Sequence, residues 1–191
     1  HYALALQTLG EIEREQSNFA RAQSLFESAL TIYKDMDDVH GSARCHKGLG
    51  EVLSAQGRYD QARRRYERAV EIFRDLGDKQ HAALCLRGIG MACWRLRDYD
   101  ACRRATRRSL EISQEIGDRR GEAASLNTLG LVAIVQGDRN ETQRCLNTSV
   151  AIYRELGLER RTAPGLHNLG ISYMDSGDMT ASRRCLEQAL A

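Results

Sequence analysis

Residues 43–50, with the sequence ARCHKGLG, carry the pattern that decides the fold. The glycine that ends this stretch recurs every 40 residues, and an alanine stands seven residues before each copy. These spacings lie on one face of a helix. A glycine inside a helix costs about 1 kcal/mol, so its recurrence indicates that a second helix approaches closely. Residues that occupy the same position in successive copies are called a column below. The alanine and glycine of each copy are Ala3 and Gly10, Ala43 and Gly50, Ala83 and Gly90, Ala123 and Gly130, and Ala163 and Gly170.

A second helix follows the first in every copy, after a break at a fixed position. The break column contains Ser17, Gly57, Gly137 and Gly177, with Arg97 as the exception. Side chains suited to accepting hydrogen bonds from a helix start follow it. These predicted caps are Asn18, Asp98, Asp138 and Asp178, with Arg58 as the exception.

The apolar stripe of this second helix ends in the column of Met36, Leu76, Ile116 and Leu156. Gly77, Gly117 and Gly157 then predict a left-handed turn. Caps for the next first helix are predicted at Asp38, Asp78 and Asp118. In the last copy Thr162 replaces the aspartate, and Pro164 predicts a late helix start.

Each copy is therefore a pair of antiparallel helices that buries its stripe only against its neighbours. We predict an all-α solenoid of about ten helices in one domain. Its five units span residues 1–37, 38–77, 78–117, 118–157 and 158–191, the last incomplete. Because the chain starts at His1 and stops inside a second helix, we expect an excerpt of a longer protein. The stripe with Leu186 and Leu190 would then favour self-association through the C-terminal repeat, or fraying of the last helix.

Composition gives little sign of a nucleic-acid or membrane partner. The formal net charge is +2, and no apolar run is long enough to cross a bilayer. Arginine outnumbers lysine 25 to 3 within the 28 basic residues. Coding bias is the favoured explanation, and recognition of carboxylates or phosphates by guanidinium groups is the other. Arginine runs such as Arg63–Arg65 alternate with acidic residues and lack aromatic stacking partners, which favours a solvated face over an RNA surface.

No motif for catalysis or metal binding stands out. The six cysteines form no CxxC pair and follow the repeat, so we expect reduced core thiols in a cytoplasmic, reducing compartment. His81 and Cys85 share a helix face but lack a second ligand pair. His46 occupies a leucine column and is interpreted as a core or edge residue. We therefore predict neither enzyme activity nor a cofactor.

The pattern resembles the tetratricopeptide repeat (TPR), with the fullest fit at Leu49-Gly50, Tyr59, Ala62, Tyr66 and Ala69. The 40-residue unit is similar to those of LGN/Pins scaffolds, kinesin light chains and the sensor arrays of MalT- and LuxR-type regulators. The resemblance implies a right-handed solenoid whose first helices line a concave groove. Those scaffolds usually carry asparagine before Leu-Gly, and only Asn168 matches here, so an identical mode of peptide binding is in doubt.

The implied groove combines charged and apolar residues. We expect a protein or peptide ligand that is amphipathic, with apolar anchors near Trp94 and Leu131 and an acidic segment near Arg44, Lys47 and Arg87. In the other interpretation, the apolar residues pack against neighbouring helices or a missing repeat. The candidate residues are Arg44, Lys47, Glu51, Arg87, Met91, Trp94, Asn127, Leu131, Ile134, His167, Asn168, Ile171 and Met174.

Two functions are compatible with such a groove. The first is a scaffold or adaptor that presents the groove to a peptide or helix of another protein. The second is a ligand-sensing array within a larger signalling or transcriptional regulator, in which binding shifts a conformational equilibrium.

Overall fold

A computed structural model describes residues 1–190, which contain ten α-helices and no strand. The described elements confirm the all-α prediction. The helices are α1 (Tyr2–Glu15), α2 (Phe19–Asp35), α3 (Val39–Ala55), α4 (Tyr59–Asp75), α5 (Lys79–Arg95), α6 (Tyr99–Glu115), α7 (Arg119–Gln136), α8 (Arg139–Glu155), α9 (Ala163–Asp175) and α10 (Met179–Leu190). A 3-10 turn, Glu159–Arg161, precedes α9, which confirms the predicted late start of that helix.

The chain divides into two compact units, His1–Ala105 and Thr106–Ala191. In the first unit α1 packs on α2, α2 on α3, α3 on α4 and α4 on α5. In the second unit α7 packs on α8, α8 on α9 and α9 on α10. This packing of consecutive helices confirms the solenoid class. The five repeat boundaries and the single-domain assignment stay predictions.

Close packing explains the recurring glycine in α1, α3, α7 and α9. A Cβ placed on Gly10 would lie 3.2 Å from the Phe26 ring, and one on Gly50 would lie 2.7 Å from Tyr66. In the second unit, Gly130 and Gly170 approach Leu146 and Leu186 in the same way, at 2.6 and 2.7 Å. Each glycine therefore makes room for the large residue of its own second helix, as the sequence predicts.

Left-handed turns separate the helices at the predicted glycines. Gly57, Gly77, Gly117, Gly137, Gly157 and Gly177 all have φ between 66° and 82°. Three other residues adopt the same conformation: Ser17 at 64°, Asp37 at 53° and Arg97 at 60°. Non-glycine residues are strained there because Cβ crowds the backbone.

Aspartate side chains cap the helices in the predicted columns. Asp38, Asp78, Asp98, Asp118, Asp138 and Asp178 each accept a backbone N–H bond from three residues further on, at 2.7–3.0 Å. The prediction for Asn18 is wrong, because its amide turns back and donates to Glu13 Oε2 at 2.8 Å. The prediction for Thr162 is also wrong. Its hydroxyl donates to the carbonyl oxygen of Glu159 at 2.7 Å, within the 3-10 turn.

The end of the second-helix stripe differs from the sequence-based expectation. Met36, Leu76, Ile116 and Leu156 are 38–64% exposed rather than buried. The last buried residues of α2 and α4 are Tyr33 and Phe73, three residues earlier. The following residues bend towards the left-handed turn, which carries the apolar side chain away from the core.

Candidate functional site

Within each unit the first helices of successive repeats approach one another. In the first unit α1 contacts α3 and α3 contacts α5, and in the second unit α7 contacts α9. Among the described residues, the second helices α2 and α4 make no such contact, nor do α8 and α10. Because successive first helices lie closer together than successive second helices, the first helices form the inner side of each unit. Their exposed residues are called the inner surface below.

In the first unit this inner surface carries a charged cluster around Glu51. Lys47 Nζ donates to Glu51 Oε1 at 3.0 Å, and Arg14 Nε lies 3.2 Å from Glu51 Oε2. Arg44 is half-buried, and its Nε lies buried with no hydrogen-bond partner. Glu51 thus pairs with two cations, and the Nε atoms of both Arg14 and Arg44 are buried without a hydrogen-bond partner. Arg14 was not among the selected residues, although it occupies the same column as Trp94.

The apolar part of the first unit centres on Trp94. Its indole is half-buried and packs edge-on against Tyr99, with ring centroids 5.3 Å apart. Met91, one turn earlier on α5, is 43% exposed. Tyr99 escaped the sequence analysis because it belongs to the start of a second helix, whereas the implied groove was drawn from first helices. The contact holds the indole in place and leaves apolar surface at its other edge.

In the second unit Ile134 and Ile171 line one surface depression with Arg139 and Asp175. Arg139 bridges the two repeats by donating to the Asp175 carbonyl oxygen at 3.2 Å. The remaining candidates range from half-buried to exposed, and none of them is fully buried. Half-buried are Asn127, Leu131 and Asn168, and exposed are His167 and Met174.

The candidate residues divide between the two units. Arg44, Lys47, Glu51, Arg87, Met91 and Trp94 belong to the first, and the others belong to the second. The structure brings Lys47 and Glu51 together, and likewise Ile134 and Ile171. An apolar surface that continues from Trp94 to Leu131 stays a prediction.

Burial suppresses the reactivity of the cysteine side chains. All six are free and buried. Burial raises the pKa of Cys45 and of Cys85 to about 12, so both remain thiols near neutral pH. Only a thiolate is a good nucleophile or metal ligand, and these side chains are core packing groups. Within residues 1–190 no three His, Cys, Asp or Glu side chains are grouped so as to hold a metal ion.

Three histidines have structural roles. His46 is buried, as the leucine column predicts, and burial together with Arg65, Lys34 and Arg68 lowers its pKa to about 4. His81 faces Asp78 rather than a second metal ligand, with Nδ1 2.8 Å from Asp78 Oδ2. His40 of the preceding repeat lies 3.3 Å from the same oxygen. His40, His81 and Asp78 therefore join α3 to the start of α5.

Arginines link residues about one repeat apart, a role that the sequence analysis missed. Within the first unit Arg58 reaches Gln23 at 3.1 Å. Within the second, Arg107 reaches Glu141 at 3.1 Å and Arg119 reaches Glu155 at 2.8 Å. The fixed separation of 34–36 residues is the signal that would have revealed these pairs. Arg63 and Arg64 of α4 instead pair locally with Asp60, at 3.0 and 2.8 Å.

Comparison with known families identifies the repeat. The sequence profile described as "Tetratricopeptide repeat" matches residues 1–75, 41–115 and 80–155, and a second profile of that description matches residues 165–191. The chain belongs to the tetratricopeptide repeat family. Comparison with curated proteins found no significant sequence match.

Solved structures share the fold of this TPR chain at low sequence identity. BtubC (BKLC) from P. vanneervenii is 22% identical with a TM-score of 0.85, over 96% of this chain and 76% of that one. The apo form of RapI is 13% identical with a TM-score of 0.81, over 99% and 82%. YrrB, described as a TPR protein with an unusual peptide-binding site, is 14% identical with a TM-score of 0.67, over 98% and 84%.

The helices of this TPR chain are short or polar relative to a membrane span. Within residues 1–190, none combines the length and the apolar character needed to cross a bilayer.

Proposed function

We propose that this TPR chain is a non-catalytic interaction module whose first helices bind a segment of a partner protein. The observation that carries the proposal is the inner surface of the first unit, where Arg44 keeps a buried Nε without a partner beside the Lys47–Glu51 pair. A carboxylate of a ligand would satisfy this donor, since guanidinium groups bind carboxylates strongly in partly desolvated sites.

The expected ligand is amphipathic. Trp94, held by Tyr99, and the neighbouring Met91 offer an apolar anchor point in the first unit. Aromatic residues in such positions commonly dominate binding energy. Acidic residues of the ligand would lie near Arg44, Lys47 and Arg87, in competition with Glu51. A second apolar anchor would lie near Leu131 in the second unit.

Related folds are compatible with peptide binding. YrrB carries a peptide-binding site by its description, and a Rap protein with a TM-score of 0.76 and 17% identity was solved in complex with competence and sporulation factor. These ligands belong to those proteins. Six buried, reduced thiols support a cytoplasmic setting for the present chain.

A peptide-display selection tests this function. The 191-residue protein is used as bait for a library of random peptides. We expect enriched sequences to combine acidic and large apolar residues, and to lose about tenfold or more in affinity on Trp94→Ala or Arg44→Glu. Leu76→Ala, which removes an exposed apolar residue outside the inner surface, is the matched control. Enriched peptides that bind all four proteins equally would exclude this groove.

A regulatory array within a larger protein is the second candidate function. It is favoured by α6, where Thr106 replaces the phenylalanine, tyrosine or leucine of other repeats and Ser113 replaces their tyrosine or phenylalanine. Both side chains are buried, and Ser113 Oγ has no hydrogen-bond partner. Segments that respond to ligands are drawn from less stable regions. Hydrogen exchange with and without a selected peptide distinguishes the candidates, since a sensor would change protection in α6 around Thr106 and Ser113, away from the proposed ligand contacts, and a passive scaffold would not.

A further inference from the structure

The second unit contains a surface cavity of about 470 Å³, lined by the second helices α6 and α8 and by α7. Leu110 of α6 and two leucines of α7, Leu126 and Leu129, give it apolar surface. Leu110 and Leu126 are only half-buried, so part of this apolar surface is accessible. Cavities that bind small molecules have volumes of roughly 300–1,000 Å³, and this one lies within that range.

Two carboxylates line the same cavity and are nearly buried. The side chains of Glu122 and Glu141 are 12% and 13% exposed. Glu122 accepts a hydrogen bond from Gln114 Nε2 at 3.0 Å and also pairs with Arg119. Glu141 Oε1 lies 3.1 Å from Arg107 Nη2. Both arginines are about half exposed, at 47% and 53%, so each can turn to solvent while the carboxylates stay in the cavity.

The equivalent groove of the first unit is covered by arginine side chains. Burial lowers the pKa of His46 in α3, and nearby cations, Arg65 and Arg68 among them, lower it further, so both side chains lie near this part of α3. The same columns of α8 hold Cys145 and Thr148, which are too short to cover the groove. The cavity therefore lies where arginine side chains lie in the first unit.

The charge of the groove also reverses between the two units. The eleven residues that line the cavity include two cations and three carboxylates, namely Arg107, Arg144, Glu111, Glu122 and Glu141. The same columns of the first unit contain four cations and one carboxylate, namely Lys34, Arg64, Arg65, Arg68 and Glu27. The formal charge of the groove thus changes from +3 to −1, which favours a cation as the occupant in the second unit.

We propose that this cavity binds a small organic cation, in which an ammonium or guanidinium group is attached to a short apolar body. The cationic group pairs with Glu122 or Glu141 in place of an exposed arginine, since charge-assisted hydrogen bonds to carboxylates are strong. The apolar body covers Leu110 and Leu126. Such a molecule reproduces the shape and charge of the arginine side chains in the first unit. The cavity is separate from the inner surface, and its test does not depend on the function proposed above.

Two matched small molecules test the proposal. The probe is 4-phenylbutylamine, which carries an ammonium group on an apolar body. The control is 4-phenylbutanoate, which carries a carboxylate on the same kind of body. We expect NMR titration of the 191-residue protein with the amine to shift amide signals of α6, α7 and α8. The acid should bind about tenfold more weakly or less, because the cavity carries net negative charge.

Three protein variants locate the site. Thr148→Arg restores the arginine of the first unit at an exposed residue, and should weaken amine binding about tenfold because it fills the groove with a cation. Glu141→Gln removes one carboxylate and should weaken binding to a similar extent. Ser24→Arg, at an exposed residue of α2, is the matched control and should bind the amine as wild type does. Circular dichroism verifies that each variant is folded.

Three results would overturn the proposal. The first is equal binding of the amine and the acid, or no measurable binding of the amine at millimolar concentration. The second is wild-type affinity for the amine in Thr148→Arg or in Glu141→Gln. The third is a set of shifts confined to the inner surface, since the amine would then occupy the groove of the proposed function.

Discussion

Gly88 of α5 lies directly against the ring of Tyr66 of α4, so that a Cβ at residue 88 would come within 2.6 Å of Cζ. On its other side the same ring meets Gly50, where a Cβ would lie 2.7 Å away. Tyr66 is thus enclosed between two glycines of successive repeats, and the aromatic residue and the glycines form one packing unit.

The first prediction concerns this contact. Gly88→Ala should lower the free energy of unfolding by about 1–3 kcal/mol, since the added methyl group displaces a ring that has no free space. Urea unfolding followed by circular dichroism measures the change. In a Tyr66→Leu background the same substitution should cost much less. Equal costs in both backgrounds would contradict the assigned contact.

Arg97 gives a prediction of opposite sign. Its φ of 60° is left-handed, and six other turns of this kind use glycine, with φ between 66° and 82°. Arg97→Gly should therefore stabilise the protein by about 1 kcal/mol, because relief of backbone strain exceeds the entropy of the added glycine. Gly57→Ala, at the same turn of another repeat, should destabilise it by a similar amount. A loss of stability in Arg97→Gly would show that the arginine side chain contributes more than the strain costs.

His46 makes stability depend on pH. Burial and nearby cations hold its pKa at about 4 in the folded protein, against 6.5 in an exposed chain. As the pH falls from 6.5 towards 4, the unfolded chain binds a proton that the folded protein does not, so the free energy of unfolding decreases. The expected loss is about 1 kcal/mol per pH unit in this window.

The control for this effect is His46→Leu, which places the common residue of the column in the core. Its stability should exceed that of wild type, because the imidazole Nδ1 is buried without a hydrogen-bond partner. The difference between the two proteins should widen as the pH is lowered. Parallel stability curves for the two proteins would mean that His46 titrates normally in the fold.

Thiol accessibility offers a fourth prediction. The folded protein should react slowly with a disulfide reagent near neutral pH, since its cysteines are buried and burial holds the thiols of Cys45 and Cys85 protonated. In concentrated urea all six should react at once. Rapid reaction of any thiol in the native state would locate a region that opens without global unfolding.

Sequence reasoning reached the fold because its signals are local. The glycine and aspartate columns act through backbone conformation and capping within a few residues, and Gly57 and Asp138 show both effects in the structure. Asn18 failed as a cap because Glu13, on the preceding helix, offered a charged acceptor. That competition depends on how the amide of Asn18 is oriented after the turn at Ser17, which residue types at repeat positions do not specify.

The candidate site was less accessible to sequence reasoning. The spacing of residues along a helix predicts which side chains lie on the inner surface. It does not predict which of these side chains contact one another. The ion pair between Arg14 and Glu51 joins two repeats, and the Trp94–Tyr99 contact joins a first helix to the following second helix. Such pairings depend on rotamers and on the angle between helices, which a column of residue types does not specify.

The arginine links between repeats bear on how the array responds to loss of a part. Each one pairs a residue with another about one repeat further along, as in Arg119 with Glu155 and Arg154 with Gln188. Excising a repeat would leave a guanidinium group at one edge and its acceptor at the other. Because these groups are exposed, each lost pair costs little stability, and a shortened array would differ from the original mainly in the polar contacts at its new junction.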